Sequence, residues 1–200
     1  MNQYECCISE IDDTLYHRIY KKSYKENCTI PLDDLRYVIV TYYGFDRLTH
    51  RGELIVNKSI AEKVCLIFQE LYDAKYPIEK ICLVDNYNGN DNDSMSDNNS
   101  SCFNYRTIDG SIKLSNHSKG LAIDINPLYN PYIRFFNGEM SVLPELGKKY
   151  VDRNTDCIYM IQKGDTCYNA FTKHGFSWGG EWTSSKDYQH FEIVSYDLLT

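Results

Sequence analysis

Two short segments in the second half of the chain combine histidines with carboxylates at close spacing. In the first, His117 precedes Asp124 by seven positions, with Gly120 between them. In the second, Asp187 precedes His190 by three. Gly120 permits a turn or a close approach of another segment, which would let His117 and Asp124 converge. Two imidazoles and one carboxylate give three protein ligands, the number typical of a catalytic zinc site. We therefore predict that His117, Asp124 and His190 bind Zn²⁺.

Asp187 has the spacing of an acid–base group rather than of a fourth ligand. Three residues before a ligand histidine, its carboxylate can lie close to the metal without binding it. There it would take a proton from a metal-activated water molecule and later pass it to a leaving amine. The alternative role is a turn cap, which Asp often provides.

The remaining histidines and the cysteines give weaker signals. We interpret His17 and His50 as surface or packing residues and His174 as a structural turn residue. Eight cysteines are present and none forms a C-x-x-C pair. Cys65 and Cys82 fall inside apolar runs and are predicted to be buried reduced thiols. A disulfide between Cys157 and Cys167 is left open as an alternative.

Two predicted strands would present the ligands on a rigid sheet. Along residues 121–125 the apolar side chains alternate, so Asp124 points away from the face that carries them. Along residues 188–194 the same alternation places His190 and Glu192 together on the face opposite Phe191. Two strands that each offer a metal-type ligand on one face provide the rigid support that a site requires.

The other elements follow from apolar periodicity and turn residues. Ser59 and Glu62 have the spacing of a capping box at the start of a helix. The predicted elements are a possible helix around Asp12–Tyr20, strands over Leu35–Tyr43, Glu53–Val56 and 81–84, and a helix over Ser59–Ala74.

Residues 85–101 differ from the rest of the chain. They are rich in Asn, Asp, Ser and Gly and have almost no apolar side chains. A linker is disfavoured because neither half alone would keep a sufficient core, so we predict a polar loop near the site. The length of 200 residues fits a single domain, with residues 1–30 as an N-terminal extension packed on it.

Composition excludes some classes of function. The net charge of −7 argues against a nucleic-acid binder, which needs clustered Lys and Arg. No apolar run approaches the about 20 residues of a membrane helix, so no transmembrane segment is expected. The first residues lack a basic start followed by an apolar stretch, so we see no secretory signal there.

The two segments resemble the zinc D-alanyl-D-alanine carboxypeptidase family, which includes the vancomycin-resistance D,D-peptidases and phage L-alanyl-D-glutamate endolysins. The family pattern is Ser-x-His-x6-Asp followed by a distal acid-x-x-His. Here it is matched from Ser115 to Asp124 and from Asp187 to His190. Residues 99–131, including Arg106, also look like a branch of this family. The resemblance is close over the second half of the chain, and jointly the motifs are highly specific.

The resemblance implies a role for each matching residue. His117, Asp124 and His190 would be the zinc ligands and Asp187 the general base and acid. Arg106 would meet the substrate carbonyl or carboxylate, where its planar fork could stabilise a tetrahedral intermediate.

Three further residues would contact the substrate or line the cleft. Ser115 matches the family serine near the substrate, and Trp178 and Trp182 would wall the cleft, with core packing as the alternative for both tryptophans. Many family members carry Glu where this chain has Asp187, which leaves exopeptidase and endopeptidase action open. Glu192 and His174 are candidates for orienting the ligands.

The resemblance implies an α+β fold of the hedgehog type, with a small, mainly antiparallel sheet and flanking helices. It implies hydrolysis of a peptidoglycan stem peptide, first of all removal of a terminal D-alanine. An L-alanyl-D-glutamate-type endopeptidase is the second possibility. Such a substrate implies the cell envelope, whereas the absence of a visible signal keeps a cytoplasmic location open. The oligomeric state is not indicated.

Two other classes are weighed against the peptidase. A non-catalytic, zinc-stabilised module that binds cell wall or protein would not need Asp187 or Arg106, and both are present. A serine hydrolase built on Ser115 and His117 is disfavoured, because the serine lacks the context of a nucleophile elbow.

Overall fold

The structure is a computed structural model that describes residues 3–108, 111–136 and 138–193. The four helices described are α1 (Asp13–Ile19), α2 (Ala61–Asp73), α3 (Asp91–Ser96) and α4 (Thr166–Lys173). The strands of the first half are β1 (Cys6–Ser9), β2 (Leu35–Tyr43), β3 (Thr49–Asn57), β4 (Lys80–Ile81) and β5 (Asn99–Ser100). Those of the second half are β6 (Ala122–Asp124), β7 (Tyr132–Phe136), β8 (Glu139–Leu143), β9 (Ser177–Trp178), β10 (Ser185–Asp187) and β11 (His190–Glu192). Short 3-10 helices cover Leu32–Asp34, Val84–Tyr87, Asn116–Lys119, Glu145–Tyr150 and Gly179–Glu181.

The first sheet is antiparallel, in the order β1-β2-β3, and α2 packs against it. Strand β2 has the predicted bounds because its β-branched and aromatic run is uninterrupted. Its hairpin partner is longer than predicted, since β3 pairs with β2 along its whole length, from Leu35 opposite Asn57 to Tyr43 opposite Thr49. Backbone pairing thus extends through polar residues that the apolar pattern left out.

Helix α2 buries the predicted apolar face, including Val64, Ile67 and Phe68. The predicted capping box is wrong. The helix begins at Ala61, and the residue before it makes no side-chain cap. Ser59 instead donates its hydroxyl to the side chain of Asn57, 2.6 Å away. A local side-chain bond has therefore replaced the cap, which is a common competition for short polar residues.

Two small antiparallel sheets in the second half have the strand orders β6-β11-β9 and β10-β7-β8, and β4 pairs with β5 in parallel. The α+β class with small, mainly antiparallel sheets is confirmed. The possible helix near residues 12–20 is confirmed as α1, and the strand predicted at 81–84 is shortened to β4 by the 3-10 turn at Val84–Tyr87. Among the described residues, no helix is both long enough and apolar enough to span a bilayer.

Residues 85–101, called the polar segment below, are not an irregular loop as predicted. They form the 3-10 turn at Val84–Tyr87, helix α3 and strand β5. Several polar side chains in the segment are buried, among them Asn98, Asn99 and Ser94. Hydrogen bonds from buried side chains stabilise the segment in place of apolar packing. A composition typical of disordered chains is therefore compatible with a fixed structure here.

The N-terminal strand is attached covalently to α2. Cys6 and Cys65 form a disulfide with Cα atoms 5.7 Å apart, so the prediction of a reduced Cys65 is wrong. Their separation of 59 residues explains why spacing gave no signal. Cys82 is a free, half-buried thiol, and Cys157 and Cys167 are both free, so the alternative bridge is not formed.

Candidate metal centre

Pairing of β6 with β11 brings two of the predicted ligands face to face. Asp124 and His190 are direct cross-strand partners. Directly opposite residues of an antiparallel pair project on the same side of the sheet. Nδ1 of His190 consequently lies 3.1 Å from Oδ1 of Asp124, and both side chains are buried.

The third predicted ligand reaches the same point from a short turn. His117 lies in the 3-10 helix Asn116–Lys119, where the Ser115 hydroxyl accepts a hydrogen bond from the His117 N–H at 3.3 Å. The turn ends at Gly120, whose φ of +67° belongs to the left-handed region. A Cβ at this glycine would also lie 2.6 Å from the backbone nitrogen of Asn57. The predicted need for glycine here is thus confirmed on two grounds.

The three side chains fit a metal ion. Nε2 of His117 lies 3.1 Å from Nδ1 of His190 and 3.2 Å from Oδ2 of Asp124. Donor atoms at about 2.0–2.1 Å from a tetrahedral ion would be about 3.3 Å apart. The observed separations are close to that value, and neutral imidazole and carboxylate are the donor types that zinc accepts.

The hydrogen bonds around the two rings select which nitrogens can bind. Nδ1 of His117 lies 2.6 Å from the carbonyl oxygen of Cys102, an acceptor, so this nitrogen carries the proton. Nε2 of His190 faces a carboxylate oxygen of Glu192 at 3.1 Å. The other two nitrogens, Nε2 of His117 and Nδ1 of His190, therefore face Asp124, as in metal sites whose histidines are oriented by a second acceptor.

Asn116 extends this arrangement by one more residue. Its Nδ2 donates to the same Glu192 oxygen at 2.7 Å, which fixes the carboxylate beside His190. Glu192 is therefore placed to orient a ligand, as interpreted from the sequence. His174 is not, because its ring bonds Glu70 on α2 at 2.8 Å. His17 is exposed, and His50 pairs with Asp46.

The ionisable groups of the cluster shift one another's pKa values. Burial lowers the pKa of His190, but hydrogen bonds to Asp124 and Glu192 outweigh it and raise that pKa to about 10. For Asp124, burial raises the pKa, yet the charge and hydrogen bond of His117 and the hydrogen bond of His190 hold it well below its usual value. The carboxylate is therefore ionised, as a metal ligand must be.

Asp187 lies on β10, beside this cluster but outside it. The side chain as a whole is half-buried, but Oδ1 has no contact with solvent and no hydrogen-bond partner among the described residues. Burial raises the pKa of Asp187 to about 7, although the positive charge of His190 opposes the shift. A carboxylate with an unpartnered buried oxygen and a pKa near neutrality is suited to proton transfer.

A glycine that the sequence interpretation did not single out permits this approach. A Cβ on Gly179 would lie 2.6 Å from the carbonyl oxygen of Asp187 and 3.3 Å from Cβ of His190. The signal was present as the pair Gly179-Gly180 next to Trp178. Asn116 was likewise visible only as a neighbour of His117, and the carbonyl of Cys102 has no sequence signal because any residue supplies one.

Arg106 is held next to the turn that carries His117. Its backbone N–H donates to the hydroxyl of Ser118 at 2.8 Å. Burial raises the pKa of Asp187, and the positive charge of Arg106 opposes that shift to a small extent. The structure therefore brings Arg106 to the same region as the three predicted metal ligands and the predicted general base.

The predicted cleft residues separate into two kinds. Trp178 is buried in the core, where its ring stacks against Phe191 and its N–H donates to the carbonyl of Tyr188 at 2.9 Å, so the packing alternative describes it. Trp182 is half-buried, with its ring centroid 5.3 Å from that of His190. It is therefore the tryptophan placed to line the site.

Ser115 is buried and caps the His117 turn. Its hydroxyl contacts the backbone of His117, whereas both ring nitrogens face Cys102, Asp124 and His190. This geometry gives no support to a serine hydrolase. A substrate contact by Ser115 stays a prediction.

Comparison with known proteins agrees with this geometry. Residues 109–193 match a family model described as D-alanyl-D-alanine carboxypeptidase. No curated protein and no solved structure matches the chain. The matched segment contains the three predicted ligands and Asp187, while Arg106 and the polar segment precede it. The resemblance inferred from the motifs is thereby confirmed over residues 109–193, which match this family model.

Proposed function

We propose that the protein is a zinc peptidase that removes a terminal D-alanine from peptidoglycan stem peptides. The observation that supports the proposal is the convergence of His117, Asp124 and His190, with Asp187 beside them, whose Oδ1 has no hydrogen-bond partner in the described part of the chain. These residues all lie in the segment that matches the family. Zinc is favoured over other divalent ions by the set of two imidazoles and one carboxylate.

The chain's own residues have distinct tasks in this proposal. A zinc ion held by the three ligands would supply Lewis acidity, polarising the scissile carbonyl and acidifying water. Asp187 accepts a proton from the attacking water at its free oxygen and returns it to the leaving amine. Arg106 presents a planar cation to the developing oxyanion or to the terminal carboxylate of the peptide. Trp182 lines the side of the site next to His190.

The endopeptidase alternative uses the same residues on a different bond of the stem peptide. The shorter acid, Asp187 in place of Glu, is common among the endolysin-like members and keeps this alternative open. A non-catalytic binding module is less well supported, because it has no use for an acid whose buried Oδ1 has no hydrogen-bond partner among the described residues.

We further propose that the chain forms one domain that works at the cell envelope. The main apolar cluster draws on both halves of the sequence, with Val38 and Ile67 packed in the same core as Ile123 and Phe191. The substrate class points to the envelope, and the disulfide between Cys6 and Cys65 is typical of oxidising compartments.

Mass spectrometry of muropeptides tests the activity directly. Purified protein is incubated with muropeptides after loading with zinc and, as a control, after chelation. Loss of a single terminal D-alanine only in the zinc-loaded sample is the expected result. Internal cleavage would support the endopeptidase, and unchanged muropeptides with zinc bound would support the binding module.

A further inference from the structure

The backbone of Arg106 is fixed, but its long side chain needs a separate support. The Ser118 hydroxyl accepts from the Arg106 N–H at 2.8 Å and donates to the Arg106 carbonyl at 2.6 Å. The same carbonyl accepts from the N–H of Ser115 at 3.1 Å. These bonds tie Arg106 to the turn that carries His117. They leave the direction of the guanidinium undetermined, because an arginine side chain has many rotamers.

The guanidinium contacts a carboxylate of the polar segment. Nε of Arg106 lies 2.5 Å from Oδ2 of Asp91, and both side chains are about three-quarters buried, with exposed fractions of 29% and 26%. The N–H does not point at the oxygen, so the contact is an ion pair rather than a linear hydrogen bond. Asp91 contacts Nε, the innermost nitrogen of the guanidinium, rather than the two terminal nitrogens that form its outer edge.

Asp91 is itself held in place by a buried side chain. Asn104 donates to Oδ1 of Asp91 at 3.0 Å and to the carbonyl of Gly89 at 3.2 Å. Asn90 caps α3 by accepting from two backbone N–H groups of its first turn. The first residue of α3 thus has little freedom to move away from Arg106.

The whole polar segment is fastened to its surroundings in the same manner. Asn99 bonds both backbone groups of Cys82, at 2.8 and 2.9 Å. Asn98 accepts from the N–H of Leu128 at 2.9 Å, close in sequence to Asp124. Asp85 accepts from both the backbone and the hydroxyl of Ser23 at 3.0 and 2.9 Å. Hydrogen bonds to three separate parts of the chain therefore hold the polar segment in place, which distinguishes it from a mobile loop.

We infer that Asp91 is a positioning residue that directs Arg106 toward the peptide's terminal carboxylate, and that the polar segment serves to hold it. This inference rests on the proposed function, since it assigns Asp91 a purpose only through Arg106. It also assigns a role to the polar segment, which precedes the residues that match the family model.

The test is a double-variant cycle on cleavage of a peptide that ends in D-alanyl-D-alanine. Wild type, Asp91→Asn, Arg106→Ala and the double variant are loaded with zinc, and KM, kcat and metal content are measured for each. Asp93→Asn is the matched control, because Asp93 is an exposed acid on the same helix. We expect Asp91→Asn to raise KM about 10-fold to 100-fold with unchanged metal content, and Asp93→Asn to behave as wild type.

The double variant separates positioning from a general effect on folding. If Asp91 acts through Arg106, the Asp91 substitution adds nothing in the Arg106→Ala background, whereas a purely structural role would persist there. Additive effects, an unchanged KM, or a more active Asp91→Asn would overturn the inference. The last of these would mean that Asp91 competes with the substrate for Arg106. A wild-type protein that binds zinc but cleaves nothing would overturn the proposed function first, and the inference with it.

Discussion

The polar segment and the metal centre both bury polar side chains, but in opposite ways. Asn98 and Asn99 in the segment are neutral and are bonded to backbone groups of the chain. His117, Asp124 and His190 are ionisable and converge on one another instead. Next to them lies a carboxylate oxygen without a hydrogen-bond partner among the described residues. The two asparagines are thus satisfied by other groups of the chain, whereas the ligand atoms of the centre face a common position.

This difference separates structural polar residues from functional ones. Buried polar groups are nearly always satisfied, and a network that satisfies itself needs no ligand. By contrast, two imidazoles and a carboxylate whose ligand atoms lie 3.1–3.2 Å apart have the arrangement that a bound cation requires. Substitutions of the buried asparagines in the segment should therefore change stability, whereas substitutions in the centre should change metal binding or turnover.

The largest effect is expected from the acid beside the centre. Asp187→Asn keeps the shape of the side chain but removes its ability to accept a proton. We expect kcat to fall by about 10²–10⁴-fold while the metal content stays at the wild-type value. Stopped or steady-state hydrolysis assays, together with metal analysis of the same samples, measure both. Retention of near-wild-type turnover would show that Asp187 is not the general base.

A smaller effect is expected from the residues that orient His190. Glu192→Leu removes the acceptor of its Nε2–H, and Asn116→Leu removes the donor that fixes that acceptor. Each should weaken zinc binding by about 10–100-fold in competition with a chromogenic chelator. Glu192→Gln should lose less, because the amide oxygen can still accept.

The control for these variants is Glu181→Gln, an exposed acid paired with Lys163. Its zinc affinity should equal that of the wild type. If Glu192→Leu also bound zinc as tightly as the wild type, the proposed orientation of His190 would be wrong.

Substitution of a buried asparagine in the polar segment should instead change the stability of the fold. Asn99→Ala leaves the backbone groups of Cys82 without their partners in a buried site. We expect the free energy of unfolding to fall by about 1–3 kcal/mol, measured by urea denaturation. Zinc affinity of the folded variant should be unchanged, and the exposed Asn92→Ala should change neither quantity. A loss of zinc affinity in Asn99→Ala would remove the distinction between the two regions.

The smallest effect is expected from a partly buried ion pair at the border of the polar segment, where Arg18 also donates to the side chain of Asn86 at 3.1 Å. Arg18 contacts both carboxylate oxygens of Glu53 at 2.6 and 2.7 Å, and its hydrogen bond lowers the pKa of Glu53 from the usual 4.5 against the opposing effect of burial. A lowered pKa in the folded state contributes stability above pH 4.5 that is lost as the pH falls through the folded value. Glu53→Gln should thus be less stable than the wild type by about 1 kcal/mol or less at pH 7.

Unfolding curves over a pH series check the sign of this effect. The difference between Glu53→Gln and the wild type should shrink as the pH is lowered below 4.5. A difference that grew on acidification would mean that the pair does not lower the pKa of Glu53.

Much of the centre could be predicted from the sequence because its determinants are local. Alternation along residues 121–125 and 188–194 placed Asp124 and His190 on strands, and pairing of those strands set them opposite each other. The turn at Gly120 was also visible, since its need for a left-handed backbone is a property of one residue.

What could not be predicted depends on contacts between distant residues. The bond of Cys6 to Cys65 and the ion pair of Asp91 with Arg106 join positions whose spacing carries no periodic signal. The polar segment was predicted to be a loop because composition does not reveal which asparagines will find buried partners. The packing role of Trp178 could likewise not be decided from the sequence, since its ring meets Phe191 only after the strands have paired.

The most direct test of the proposed metal centre is the metal content of the purified protein after dialysis against buffered zinc. We expect one equivalent of zinc per chain for the wild type and for Asp187→Asn, and no tightly held zinc for His117→Ala. Wild-type protein that folds but holds no zinc, or His117→Ala that holds as much as the wild type, would contradict it.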